Sequence, residues 1–96
     1  MKNSRPAEQL ITIGKRLKSV RNALQLSQRD MCHEFEVAFN TWHQWEAGKR
    51  LPDIIIMSKL CDRYGASLDW VFRGKLSNVE YALALRIKND GLITDE

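Results

Sequence analysis

SQRDMCHEFEVAFNTWHQWE, the stretch from Ser27 to Glu46, decides the fold of this 96-residue chain. Ser27 can cap a helix because its hydroxyl accepts a hydrogen bond from an amide of the next turn, and Asp30 suits the positive field of a helix start. The predicted helix therefore begins here and runs to about Phe35. Its inner face carries the apolar side chains that we expect to be buried, namely Met31, Cys32 and Phe35.

A turn at Glu36 and Val37 separates this helix from a second one, predicted at about residues 38–47. Trp42 and Trp45 lie three residues apart and so share the inner side of that helix, where they belong to the core. The outer side is left with Phe39, Asn40, His43 and Gln44. The stretch thus predicts two short, closely spaced helices, of which the second turns mostly polar, uncharged groups outward.

Before this stretch, an N-terminal arm at residues 1–6 is expected to be flexible, and the first helix spans about residues 7–24. Its apolar residues recur at three- and four-residue steps, which predicts one buried face of Leu10, Ile13, Leu17, Val20 and Leu24. Three basic residues fall off that face and are expected to meet solvent or phosphate, namely Lys15, Arg16 and Lys18. Gly14 interrupts the helix at a cost of about 1 kcal/mol relative to Ala, so we expect a neighbour to pack closely there.

After the stretch, a basic loop leads to a helix that Asp53 can cap and Gly65 can end. The predicted inner face of this helix consists of Ile54, Met57, Leu60, Cys61 and Tyr64. Ser67 can cap a further short helix that stops at Gly74. Five short helices joined by brief turns predict one compact all-α domain over residues 7–75.

Residues 76–96 are predicted to add a C-terminal helix and tail. A capping box from Ser77 to Glu80 opens a helix that ends near Gly91. One apolar stripe consists of Val79, Leu83 and Ile87, and a second stripe, on another side, consists of Tyr81 and Leu85. A helix that is apolar on two sides is either sandwiched within its own domain or shared with another chain. We favour a dimerisation element over intramolecular packing.

Composition excludes several classes of protein. A content of 44% hydrophobic and 28% charged residues is ordinary for a soluble globular domain, with no membrane span or secretory signal, so we expect a cytoplasmic protein. Neither the cysteines nor the histidines occur in the close pairs that metal sites use, and no cofactor motif is present. No spacing of nucleophile, base or carboxylates suggests catalysis, so we expect that the chain is not an enzyme.

Charge is unevenly distributed along the chain. Residues 1–50 contain nine Lys and Arg against five Asp and Glu, whereas residues 51–96 contain six against seven. The N-terminal half therefore carries a net charge of +4 and the C-terminal half −1. A basic half that includes the two-helix stretch is compatible with contact to phosphates.

Several motifs together resemble a known family. The resemblance is to the Xre-type helix-turn-helix domain of phage repressor and Cro proteins, and it is carried by IGKRLKSVR, LSQRDMC, WHQWEAGKRLP and SLDWVFRG. It runs from about Ile13 to Gly74, about two thirds of the chain. The resemblance implies an all-α, five-helix lambda-repressor-like DNA-binding domain, here with an additional C-terminal helix. In that fold the second helix of the motif reads the major groove.

The resemblance also implies roles for particular residues. Gln28 matches a glutamine that binds a phosphate and often touches a base, and Thr41 and Lys49 match contacts to the DNA backbone, to which Arg50 adds a further candidate. The positions that face the major groove are matched by Phe39, Asn40 and Gln44. Arg21 and Glu46 match a buried ion pair that ties the first helix to the end of the recognition helix.

Two residues depart from the family pattern. Glu36 stands in the turn where glycine is usual, so either the turn differs or a strain of about 1 to 2 kcal/mol is tolerated. Phe39 stands where repressors commonly carry a polar residue. It either contacts a thymine methyl group or folds back onto the domain or meets a partner protein.

The sequence therefore predicts a regulator that binds double-stranded DNA sequence-specifically, acting as a repressor and as a homodimer on a palindromic operator. Two alternatives remain: an antitoxin whose surface also holds a toxin, and a protein-interaction module that has lost DNA binding.

Overall fold

The chain forms six helices and no strand over residues 5–90, the part that the computed structural model describes. The helices are Pro6–Ala23 (α1), Gln28–Phe35 (α2), Phe39–Glu46 (α3), Ile54–Tyr64 (α4), Asp69–Arg73 (α5, a single π-helical stretch) and Tyr81–Asp90 (α6). The predicted fold class, an all-α domain with an additional C-terminal helix, is confirmed. Among these helices, none combines the length and the apolar character that crossing a bilayer requires.

Helix α1 is the central element, and it packs against α3, α5 and α6. Its middle residues Ile13, Leu17 and Val20 are buried, as the apolar periodicity predicts. Pro6 already lies in the first turn of α1 and Arg5 is its N-cap, so the last two residues of the predicted arm belong to the start of the helix. The other residues of that prediction, 1–4, lie outside the described residues.

Arg16 departs from the expectation that it meets solvent or phosphate. Its guanidinium lies 5.9 Å from the centre of the Trp70 ring and reaches the carbonyl oxygen of Val71 at 3.5 Å. Lys15 and Lys18 are exposed, as expected. Arg16 therefore connects α1 to α5 because its long side chain can lie along the apolar surface of a neighbouring helix.

Gly14 lies in close contact with the backbone at the end of α3. A Cβ atom added to Gly14 would lie 2.6 Å from the carbonyl oxygens of both Trp45 and Glu46. The expected close neighbour is thus the C-terminal end of α3. Glycine is needed at this position because the obstructing atoms belong to the backbone and cannot rotate away.

Short-range signals define the next helices. The Ser27 hydroxyl accepts from the Asp30 amide at 3.0 Å, and the Asp30 carboxylate accepts from the Ser27 amide at 2.9 Å. Asp53 caps α4 by accepting from the Ile56 amide at 3.0 Å. The predicted inner face of α4 is wrong at its first position, since Ile54 is 50% exposed. Ile54 is the first residue of the helix, where the chain has not yet reached the core.

The start of α6 also differs from the prediction. The helix begins at Tyr81, not near Ser77, and its first turn is capped by Glu80, whose carboxylate accepts from the Leu83 amide at 3.2 Å. The Glu80 amide donates to the carbonyl oxygen of Gly65 at 2.8 Å. This contact with the end of α4 fixes the backbone at Glu80, so the helix starts after Glu80 and not at the predicted capping box. The predicted end near Gly91 lies outside the described residues.

One stripe of the predicted C-terminal helix lies in the core of the domain. Val79, Leu83 and Ile87 are buried with the apolar residues of α1. Arg86 donates to the carbonyl oxygen of Ala23 at 3.0 Å and so satisfies a free acceptor at the C-terminal end of α1. Helix α6 is therefore an integral part of the same core.

The close approach at Gly14 makes a prediction about stability. Gly14→Ala should lower the free energy of unfolding by about 2 kcal/mol, because the clash with backbone carbonyls outweighs the better helix propensity of Ala. Thermal and urea unfolding would measure the change, with Lys15→Ala as the control at a neighbouring exposed position. A Gly14→Ala variant as stable as the wild type would show that α1 and α3 can separate without cost.

Candidate nucleic-acid interface

The inner face of α3 is anchored in the core by two tryptophans. Trp42 is fully buried and Trp45 almost so, with their ring centres 5.3 Å apart. Large aromatic rings contribute much of the buried apolar area of a small domain. One side of α3 is thereby fixed in the core.

A buried carboxylate at the end of α3 connects three helices. The Glu46 side chain is 3% exposed, and both of its oxygens bind Arg21 of α1, at 2.7 Å and 2.9 Å. Gln28 of α2 donates to one oxygen at 2.9 Å, and the indole of Trp42 donates to the other at 2.7 Å. We call Glu46 and these three donors the Glu46 network.

The Glu46 network also sets the charge state of the carboxylate. Burial alone would raise the pKa of Glu46, but hydrogen bonds from Arg21, Gln28 and Trp42, with the charge of Arg21, outweigh it and lower the pKa below its ordinary value of 4.5. Because this pKa is lower in the folded state than in the unfolded state, the ionised carboxylate stabilises the fold at every pH above the ordinary pKa. That contribution is lost as the pH falls through the lower, folded-state pKa.

The outer face of α3 carries the side chains that the resemblance assigns to the major groove. Asn40 is exposed, Gln44 is half-buried, and Phe39 is 43% exposed at the start of the helix. Thr41 is half-buried at the side of the same helix. Phe39, Asn40 and Gln44 therefore share a surface beside which Thr41 lies.

The three other predicted contact residues lie near this surface and differ in their exposure. Lys49 and Arg50 are exposed in the loop that follows α3. Gln28, at the start of α2, is half-buried, and its amide nitrogen is bound to Glu46. Its amide oxygen lies 3.4 Å from Nδ1 of His43. Gln28 thus holds α2 against α3, and only part of its side chain stays open to a ligand.

Phe39 does not fold into the core. The guanidinium carbon of Arg29 lies 4.8 Å from the centre of its ring, and the His43 ring stacks at 6.2 Å with an angle of 17° between the planes. Sequence reasoning missed Arg29. The spacing of four residues between Phe39 and His43 could have indicated their contact on a helix, whereas no local pattern connects Arg29 to Phe39.

Glu36 adopts the left-handed conformation that the family usually gives to glycine. Its φ and ψ angles are 56° and 49°, and the Val37 amide donates to the carbonyl oxygen of Cys32 at 3.0 Å. The turn therefore keeps its geometry and tolerates the strain of a side chain with positive φ. Of the two possibilities for Glu36, the structure contains the strained turn.

The burial of the Glu46 network makes a prediction about the fold. Arg21→Ala should lower the free energy of unfolding by about 3 to 5 kcal/mol, because it leaves a buried carboxylate without its cation. The matched control is Arg73→Ala, which removes an exposed pair with Asp69 and should cost less than about 1 kcal/mol. Urea unfolding of both variants would measure the difference, and equal losses would show that the Arg21 pair behaves as an exposed one.

Comparison with known proteins identifies the fold's family. The family model described as a helix-turn-helix domain matches residues 14–77, which include α1 from Gly14 onward and the whole of α2 to α5. Searches of the curated proteins and of the solved structures found no significant match. Because the family model covers about two thirds of the 96 residues, the chain belongs to the helix-turn-helix family of DNA-binding domains.

Proposed function

We propose that this protein is a sequence-specific regulator of the Xre type that represses transcription by binding a palindromic operator as a homodimer. The observation that carries the proposal is the two-sided character of α3. Its inner side is held by two buried tryptophans and the Glu46 network, while its outer side presents two amide side chains. A rigidly held helix with an outward polar face suits the reading of a major groove.

Asn40 and Gln44 are the proposed base-reading residues. Within the described residues, neither side-chain amide makes a hydrogen bond to the protein, so both remain available to a ligand. An amide group donates and accepts at once, which allows a bidentate contact with adenine worth about 1 to 3 kcal/mol of discrimination. Phe39 lies beside them at the first position of α3.

Phosphate contacts would position the reading helix. Lys49 and Arg50 are exposed directly after α3, and Thr41 lies at its side. Gln28 can contribute through the part of its amide that Glu46 and His43 leave open. Contacts of this kind fix the register of a protein on the duplex but carry no sequence information.

The outward stripe of α6 is the proposed dimer contact. Tyr81 is 77% exposed and Leu85 is 41% exposed, although the opposite stripe of the same helix is buried. Together with Leu76, Ala84 and Lys88 they line a shallow, mostly apolar depression of about 200 Å³. A two-fold dimer would place two α3 helices in successive major grooves, about 34 Å apart, and the bound dimer would block a promoter.

The same exposed stripe also supports a second candidate. Tyr81 and Leu85 could contact a different protein, as in an antitoxin that holds a toxin, or in an interaction module that no longer binds DNA. Glu36, a carboxylate at the turn before the reading helix, favours the module because it repels phosphates. A dimer that binds no duplex at low salt would support this candidate.

Selection of bound sequences from a random duplex pool tests the proposal, with the mass of the protein in solution determined alongside. Enrichment of an inverted repeat by a dimer is the expected result. A monomer that enriches a single half-site would overturn the homodimer. An unenriched pool would overturn sequence-specific binding, and a protein that retains no duplex even at low salt would overturn DNA binding itself.

Loss of a base contact and loss of a phosphate contact should affect DNA binding differently. Gln44→Ala should weaken binding to the enriched duplex about tenfold more than binding to random duplex, because it removes a contact to a base. Lys49→Ala, the matched control, should weaken both alike, because it removes a contact to a phosphate. Fluorescence anisotropy at several salt concentrations would measure both constants. Equal losses on both duplexes for Gln44→Ala would exclude its role in reading sequence.

A further inference from the structure

Arg29, Phe39 and His43 form an exposed cluster across α2 and α3, which we call the Phe39 cluster. Arg29 is the second residue of α2, and Phe39 is the first residue of α3. The Arg29 guanidinium lies 4.8 Å from the centre of the Phe39 ring, and the His43 ring is stacked on that ring. All three side chains are exposed. A cation–π contact on the surface thus links the two helices of the motif.

Among the described residues, no acidic side chain pairs with Arg29. Within residues 5–90 the ion pairs involve Arg21, Arg63 and Arg73, and Arg29 takes part in none of them. The guanidinium of Arg29 is therefore an exposed positive charge in the basic half of the chain.

The contact with Phe39 orients Arg29 without using its hydrogen-bond donors. An aromatic ring attracts a guanidinium through the ring face, whereas the five N–H groups of arginine point outward in the guanidinium plane. A guanidinium held over a ring therefore keeps its fork of donors for a second acceptor. A phosphate, which accepts two parallel hydrogen bonds from such a fork, is the acceptor that suits it best.

The position of the cluster within the motif points to the DNA backbone. In helix-turn-helix proteins the first helix of the motif crosses the backbone, while the N-terminal residues of the second enter the major groove. Arg29 is in the first turn of the former, and Phe39 opens the latter. The backbone of a duplex bound in this way would pass Arg29.

We propose that Arg29 donates to a DNA phosphate and that Phe39 is the positioning residue that orients its guanidinium. This inference rests on the proposed binding of duplex DNA. It assigns to Phe39 an indirect role, through Arg29, in place of a contact with a thymine methyl group. It also accounts for the aromatic residue at position 39, where a polar one is common, because only an aromatic ring offers a face on which the guanidinium can lie.

Binding of a mixed-sequence duplex of about 20 base pairs, long enough for two half-sites, tests the proposal across a range of salt concentrations. Arg29→Ala should weaken binding about fivefold to tenfold and reduce the slope of log affinity against log salt by about 0.9, the value of one phosphate contact. Arg73→Ala is the control for loss of an exposed arginine on α5. It should change neither quantity.

The role of Phe39 requires a double-mutant comparison. Phe39→Leu keeps the apolar bulk but removes the ring face, and it should weaken binding about threefold, while Arg29→Lys should keep the salt slope and lose a similar factor. The double variant Arg29→Ala, Phe39→Leu should bind as Arg29→Ala alone does, within about twofold. Losses that multiply would show that Phe39 acts independently of Arg29.

Two further results would overturn this inference while leaving the proposed function in place. One is a folded Arg29→Ala variant with wild-type affinity and salt slope, alongside a wild type that enriches an operator. The other concerns an operator in which deoxyuridine replaces thymidine: the wild type binds it more weakly than the unmodified operator, whereas Phe39→Leu binds both operators equally. That result would reveal a direct methyl contact. A wild type that binds no duplex would instead defeat the proposed function itself.

Discussion

The buried carboxylate of Glu46 is the interaction on which the arrangement of the helices depends. A carboxylate that is almost completely removed from water is tolerated only when its lone pairs are satisfied. Arg21, Gln28 and Trp42 supply four hydrogen bonds to it, and they come from α1, α2 and α3. A rotation of α3 about its axis would break several of these bonds at once. The outward direction of Asn40 and Gln44 is therefore set from inside the domain.

The local parts of the fold could be predicted from the sequence because they depend on neighbouring residues. Ser27 and Asp53 cap their helices through contacts three residues away, and Gly74 adopts the positive φ expected at a helix end. The start of the last helix could not be predicted in the same way. The amide of Glu80 binds the carbonyl oxygen of Gly65, and this contact is distant in sequence. Tertiary structure there overrides a good local signal.

The candidate site divides along the same line. The helical periodicity of α3 is enough to separate buried Trp42 and Trp45 from exposed Asn40. The pair of Arg21 and Glu46 followed only from the family resemblance, since no local rule connects residues 25 positions apart. Neither helical periodicity nor the family resemblance could predict the contact of Arg29 with the Phe39 ring. It depends on how two helices cross and on an aromatic residue at a position where the family commonly has a polar one.

The most direct test of this account is the ratio of operator affinity to random-duplex affinity in Glu46→Gln, measured well below the melting temperature of the variant. Glutamine keeps the size of the side chain but removes the charge that Arg21 requires. The account predicts that the ratio falls by about tenfold or more, equivalent to about 1.4 kcal/mol, because the reading helix loses its orientation while phosphate contacts persist. A folded variant with an unchanged ratio would show that the Glu46 network stabilises the domain without directing α3.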